Sequence, residues 1–296
     1  MNISVKTKVL LAGFCSQLLC IGIARFAYTP LLPLMQEQMG LSDTAGGWLA
    51  TVNYIGYMLG AVIASVVVDF ERKDRLYRLA LFVAVLSTGA MALTDNIYIW
   101  AGLRFIAGLS SAGAMLLASG LILNWLMRHH FRGELGLHFA GVGVGISLAA
   151  AAVQAMLMFE LHWDVQWTVF AALGVVLLIP AWRWLPKPGH TLNAQTGNTL
   201  TDHPPSRPFF ILMLAAYFCA GYGYVINATF IVAIIERQPA LAGNGAVVFF
   251  VIGLCAAAAV LLWDRVARKI GTLHALMFAY GLQFFGIVLP VLSTTL

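Results

Sequence analysis

Apolar stretches of span length, separated by short polar ones, follow each other along the whole chain. Residues 9–35, 46–68, 78–94, 97–122, 136–158, 167–185, 209–235, 245–263 and 273–292 each read as a helix able to cross a bilayer core, which takes about 20 apolar residues. The pattern predicts an all-α integral membrane protein with nine spans. One connection, Pro186 to Pro208, has linker composition, rich in proline and polar residues. It separates a six-helix unit (1–185) from a three-helix unit (209–296), with 186–208 as a cytoplasmic linker.

The charges then orient the spans. Lys6 and Lys8, Arg72, Lys73, Arg75 and Arg78, Arg128 and Arg132, Arg183, Lys187 and Arg207, and Arg265, Arg268 and Lys269 all fall on one side. The other side carries Glu37, Asp43, Asp95, Glu160 and Asp164, with Arg237 its one basic residue. Excess Lys and Arg mark the cytoplasmic face, so the N-terminus is expected in the cytoplasm and Leu296 on the outer, periplasmic side of an inner membrane. All eight tryptophans fall near predicted span ends, which suggests anchoring at headgroup level.

Composition agrees. The chain of 296 residues is 61% hydrophobic and 10% charged, far from the usual soluble balance. The net charge of +5 is topological and implies no nucleic-acid partner. The lipid bilayer is the expected surrounding. Cys15, Cys20, Cys219 and Cys255 lie within apolar runs, as packing residues rather than a disulfide or zinc framework. Lys6 and Lys8 before an apolar run imitate a signal peptide, but that run is long and many more follow.

Arg25 is the residue that the pattern makes conspicuous. It stands mid-way along the first span, and Arg104 stands inside the fourth, while no Asp or Glu lies in the middle of any span. A cation at the bilayer centre costs about 2.5–3.5 kcal/mol on insertion scales and therefore faces protein or water. Two guanidinium groups without a counter-ion form a site for a small organic anion, since their planar donor fork suits a carboxylate. The alternative is structural, each arginine tied to backbone carbonyls and tyrosine hydroxyls. Pro30 and Pro33 remove backbone donors near Arg25, so freed carbonyls are expected to line a cavity there. Helical spacing places Gln17 and Tyr28 on a broad face with Arg25; Asn53 and Tyr57 form a polar stripe on the second span, and Gly221, Tyr224 and Asn227 one on the seventh.

Other signals are weaker. Gly56 with Gly60, and Gly141 with Gly145, are small pairs that bring helices close. No Gly-Lys-Ser/Thr phosphate loop occurs, which leaves no engine for ATP-driven pumping. His138, at the start of the fifth span, reads as an interfacial histidine or a proton relay. Ser110 and Ser111 with His138 as base would make an intramembrane hydrolase only if they came within hydrogen-bond reach. No cofactor or metal is expected.

A faint internal repeat crosses the linker: Cys20, Gly22 and Glu37 match Cys219, Gly221 and Glu236 at one offset, and Asp69 matches Asp264 at nearly the same one. Such repeats are usual in secondary transporters. Under this alignment Tyr224 faces Arg25 and Asn227 faces Tyr28. The run from Gly22 to Pro33, with Gly46-Gly47-Trp48 and Asn53-Tyr54-Ile55-Gly56-Tyr57, resembles the YbfB/YjiJ family of the major facilitator superfamily. Asp264 to Lys269 and, less closely, Asp69 to Lys73 resemble the superfamily's cytoplasmic loop motif, and Arg104 to Gly108 its fourth-span motif. The resemblance implies twelve spans in two six-helix bundles, of which this chain lacks the last three. It implies a carrier rather than an enzyme, working by alternating access. Arg25, Tyr28, Asn53, Tyr57, Arg104, Tyr224 and Asn227 would line the solute site; Asp69, Arg72, Asp264, Arg265 and Arg268 would latch the cytoplasmic gate. Protons are one choice of coupling ion, although a buried carboxylate to carry them is missing. A truncated remnant without transport and an intramembrane hydrolase are the alternatives; oligomeric state stays open.

Overall fold

The computed structural model describes residues 4–188, 206–236, 238 and 243–292. Within them the regular structure is helical. Seven helices are long and apolar enough to cross a membrane: α1 (Val5–Met39), α2 (Asp43–Val66), α3 (Phe70–Leu93), α4 (Ile97–Arg128), α5 (Gly136–Met158), α6 (Trp163–Arg183) and α8 (Gly245–Ile270). Two more, α7 (Arg207–Glu236) and α9 (Thr272–Leu292), lie along the remaining predicted runs. Much of the linker and Arg237 fall outside the described residues, as do the side chains of 225–230 and hence that of Asn227.

Helix ends follow capping chemistry. Ser42 accepts a hydrogen bond from Ala45 N, Asn96 from Tyr98 N, and Asp69 from Arg72 N, so each satisfies a donor that a helix start leaves unpaired. The Asp69 cap moves the start of α3 back to Phe70 from the expected residue 78, and the charged residues between are helical. In that turn Asp74 pairs with Arg78 at 2.9 Å, and the Arg78 guanidinium donates to the carbonyls of Trp182 and Leu185. This ties the start of α3 to the end of α6.

α1 is the axis of the first unit, with 78% of its most apolar window buried, against 28% in α2 and α6 and 17% in α8. Because lipid is as apolar as leucine, helices in a bilayer associate through close packing rather than through a hydrophobic drive. The glycines supply it. A Cβ on Gly22 would lie 2.5 Å from the Gly145 Cα, one on Gly141 2.5 Å from the Phe14 carbonyl, and one on Gly60 2.7 Å from the Ala112 Cβ. Substituents on Gly56 and Gly108 would strike the carbonyls of Phe105 and Asn53, so α2 and α4 touch backbone to backbone. Gly143 and Gly253 bring α5 against α8 in the same way, and Ser147 Oγ donates to the Phe250 carbonyl across that seam at 2.8 Å.

Two apolar clusters fill the first unit. One, around Val9, Tyr77, Leu81 and Trp125, lies toward the end where α1 begins; the other, around Ile23, Leu31, Trp100 and Trp167, lies toward the opposite end. Trp100, Trp125, Trp163 and Trp167 are buried in these clusters. Trp100 meets Trp163 edge to face and gives its indole N–H to the Met91 carbonyl. The expected headgroup anchoring is corrected for these four, because helix ends in a bundle meet other helices as well as lipid.

Candidate functional site

Between the two clusters α1 departs from regular geometry. Leu18–Phe26 is a π-helical stretch, and α4 has a shorter one at Gly113–Leu117; such wide turns free backbone groups and are frequent at functional sites. The opening lies ahead of Pro30 and Pro33 rather than at them.

Arg104, 3% exposed, fills the opening. Its Nη1 donates to the Ala24 carbonyl at 3.0 Å and its Nη2 to the Arg25 carbonyl at 3.2 Å, and its guanidinium lies 4.5 Å above the Tyr28 ring. Asn53 Nδ2 donates to the Arg104 carbonyl at 2.7 Å, and Tyr28 Oη donates to the Gly46 carbonyl. Tyr28, Asn53 and Arg104 therefore knit α1, α2 and α4 together.

Arg25 is held differently. It is half-buried, and its guanidinium carbon lies 4.5 Å from the Tyr57 ring centre, 4.7 Å from Tyr54 and 5.2 Å from Phe26. Its Nε is buried without a hydrogen-bond partner. Among the described residues the ion pairs lie at helix ends, away from this level. Arg25, Phe26, Tyr28, Asn53, Tyr54 and Arg104 line a narrow recess with a free volume of about 10 Å³. Tyr224 on α7 is half-exposed and within electrostatic reach of Arg25 and Tyr54. Tyr57 also donates its hydroxyl to Met115 Sδ at 3.0 Å. Arg25, Tyr28, Asn53, Tyr57 and Arg104 thus converge on one wall, with Tyr224 opposite. Tyr54 belongs with them and was missed, although it adjoins Asn53 in the motif that signalled this helix.

Gln17 leaves the face on which regular spacing put it, because the wide turn shifts the register between it and Arg25. It packs instead against His138. Ser111 Oγ donates to the carbonyls of Cys20 and Ala107, and Ser110 Oγ to that of Ala107. Neither serine bonds to His138, whose serine neighbour is Ser119, so the hydrolase geometry is not formed.

Near the end of α8 Arg268 meets Asp264 at 3.0 Å and Glu134 at 3.2 Å, while Lys6 approaches Glu134 at 4.0 Å. Glu134 follows α4, so this cluster joins α8 to the first unit. Its signal in the sequence was a single acid in an otherwise basic loop. Asp69 and Arg72 make only a local, exposed contact at 3.9 Å, and Arg265 is exposed.

Residues 17–296 match the family described as uncharacterised MFS-type transporter YbfB. The chain is 25% identical over 281 residues to the uncharacterised MFS-type transporter YceJ of Bacillus subtilis, covering 93% of this chain and 71% of the relative. It is 26% identical over 172 residues to the niacin transporter NiaP of Acinetobacter baylyi, covering 58% and 33% of the two chains. To the benzoate transport protein of the same species it is 22% identical over 166 residues, covering 54% and 35%. The match thus spans about a third of the length of the niacin and benzoate relatives. The crystal structure of the nucleoside transporter NupG superposes with a TM-score of 0.62 at 13% identity, over 91% of this chain and 69% of that one. The matched family and the structural neighbour are transporters, and the likeness to NupG concerns the fold.

Proposed function

We propose that this chain, which belongs to the YbfB family of MFS-type transporters, carries a small aromatic carboxylate across an inner membrane, with Arg25 as the anion-binding group. The observation that carries this reading is the setting of the Arg25 guanidinium: half-buried and faced by three aromatic rings. A carboxylate would accept from the guanidinium, and the tyrosine faces would receive a flat ring. Arg104 sets the backbone that presents Arg25. The names of two relatives, a niacin transporter and a benzoate transport protein, support an aromatic acid as the solute.

Alternating access would rock the second unit against the first across the α5–α8 seam. The cluster of Lys6, Glu134, Asp264 and Arg268 would hold the cytoplasmic side closed, with the N-terminus on that side. The test is uptake of labelled nicotinate and benzoate into proteoliposomes, with nicotinamide as the uncharged counterpart of nicotinate. Uptake of the two acids, competed by each other and not by nicotinamide, is the expected result. Equal handling of nicotinate and nicotinamide would overturn the anion-site reading.

A further inference from the structure

The outer side of the first unit holds an apolar groove that the solute site does not use. α2 meets α4 at Gly60, and a Cβ on Gly113, where the wide turn of α4 begins, would lie 2.8 Å from the Ala80 Cβ of α3. Beside these contacts a groove with a free volume of about 90 Å³ remains between the three helices. Ile63 and Ala64 of α2, Leu76 and Val83 of α3, and Leu109 and Leu117 of α4 line it. Ser110, the polar residue on its wall, gives its hydroxyl to the Ala107 carbonyl of its own helix. Such an apolar space stays dry. Ile63 and Leu79 on its rim are exposed, as are Val62 and Phe82 beside them, so in a spanning chain the groove faces lipid.

Charge marks one end of it. Along α3 the groove runs from Leu76 to Val83, about 10 Å, and Leu76 lies about 9 Å from the helix start at Phe70. Lys73 is three residues before Leu76 and Arg75 four before Leu79, so both stand one turn above the groove on its own face of α3. Lys73 Nζ lies 4.7 Å from the Phe70 ring centre. The acids nearby are otherwise placed: Asp69 caps the helix and touches Arg72, Asp74 is buried against Arg78, and Glu71 is exposed. Among the described residues neither Lys73 nor Arg75 has an ion-pair partner.

We propose that this groove binds one phospholipid with an anionic headgroup. An acyl chain lies between α2, α3 and α4, and the phosphate accepts hydrogen bonds from Lys73 and Arg75. Hydrocarbon is what a bilayer offers to a dry groove, and each basic side chain at the surface favours an anionic lipid by about 5-fold. The bound chain backs the wide turn Gly113–Leu117, whose Met115 accepts from the Tyr57 hydroxyl.

Photolabelling of the full chain in phosphatidylcholine nanodiscs tests this without any solute, so its outcome is separate from that of the uptake assay. The probes are phosphatidylglycerol and phosphatidylcholine, each with a diazirine midway along one acyl chain and present at the same low level. Phosphatidylglycerol is expected to label peptides covering 60–64, 76–83 and 109–117 several-fold more than phosphatidylcholine does. It should also label them several-fold more than the exposed face of α8 at Val247, Val251 and Leu254. Lys73→Gln with Arg75→Gln should bring the two probes level at the groove. Ala64→Phe, which fills the groove, should remove the label there and leave that on α8. Label spread evenly over the lipid-facing helices would overturn the proposal, as would equal labelling of the groove by the two headgroups. If Ala64→Phe does not fold, an undiminished preference for phosphatidylglycerol in the double charge variant overturns it equally.

Discussion

Arg104 and Arg25 sit on the two sides of one wall, joined through the Arg25 carbonyl, and they are held in opposite ways. The Arg104 side is closed: the guanidinium is bonded through both Nη atoms to two carbonyls of α1 and covered by Tyr28, with only Nε unpartnered, and the residue is 3% exposed. The Arg25 side adjoins the recess, where ring faces and the Tyr57 hydroxyl are its contacts rather than backbone carbonyls. Carbonyl oxygens consume a guanidinium's donors, whereas an aromatic face attracts the charge without using the N–H groups. In the middle of a membrane, the first arrangement builds scaffold, and the second is the one on which the proposed anion site rests.

The largest expected effect is therefore that of Arg25→Ala on uptake. Truncating one partner of a desolvated, hydrogen-bonded charge pair costs about 2–5 kcal/mol, or roughly 30-fold to several thousand-fold. Nicotinate and benzoate uptake should fall by that much while the melting temperature stays close to wild type. Arg25→Lys should retain part of the uptake, since it keeps the charge and loses the fork.

Arg104→Met should show the reverse pattern. It strands the Ala24 and Arg25 carbonyls, each at about 1–3 kcal/mol, so thermal unfolding should come markedly earlier. Uptake should fall with the folded fraction rather than ahead of it. If Arg104→Met kept its melting temperature and lost uptake, the division of labour between the two arginines would be wrong.

Tyr57→Leu probes the open side more gently. It removes one of the rings facing Arg25, a contact of about 0.5–2 kcal/mol, so half-saturation for nicotinate should rise about 2- to 30-fold. Tyr28 has its ring over Arg104 instead, so Tyr28→Leu should register in stability before it registers in affinity.

These contrasts also mark what could be read in advance. The helical rods were legible because length and apolarity suffice to name a span, and Gly56, Gly60, Gly141 and Gly145 were legible as close-approach positions because the absence of a side chain is written in the residue. That Arg25 and Arg104 need protein around them followed from the cost of a charge in hydrocarbon. Which arginine is tied down did not, because that depends on carbonyls exposed by a wide turn that residue type does not announce. The same turn moved Gln17 off the Arg25 face. His138, read as interfacial or as a proton relay, is buried because Gly13, on a helix distant in sequence but packed against α5, leaves space for its ring. In the charged cluster at the end of α8, Asp264 and Arg268 belong to the motif the sequence signalled, whereas Glu134 joins them only because α8 packs beside α5. Asp69 and Arg72, foreseen on the same footing, make only local contacts.

Ser111 offers the smallest and cleanest test of the contrast. Its hydroxyl bonds to the Cys20 carbonyl at 2.6 Å, in the same π-helical stretch of α1 whose end Arg104 supports, and to the Ala107 carbonyl of its own helix. It is thus a second tie from α4 to that stretch, neutral where Arg104 is charged. Interhelical hydrogen bonds of this kind average about 0.6 kcal/mol within a bilayer, and Ser111→Ala should lower thermal stability by about that much, well below Arg104→Met. Uptake should persist nearly unchanged, because the serine touches backbone and not the recess. A large loss of uptake at unchanged stability would move Ser111 from scaffold to site, and the line between the closed and open sides of the wall would have to be redrawn one turn deeper along α4.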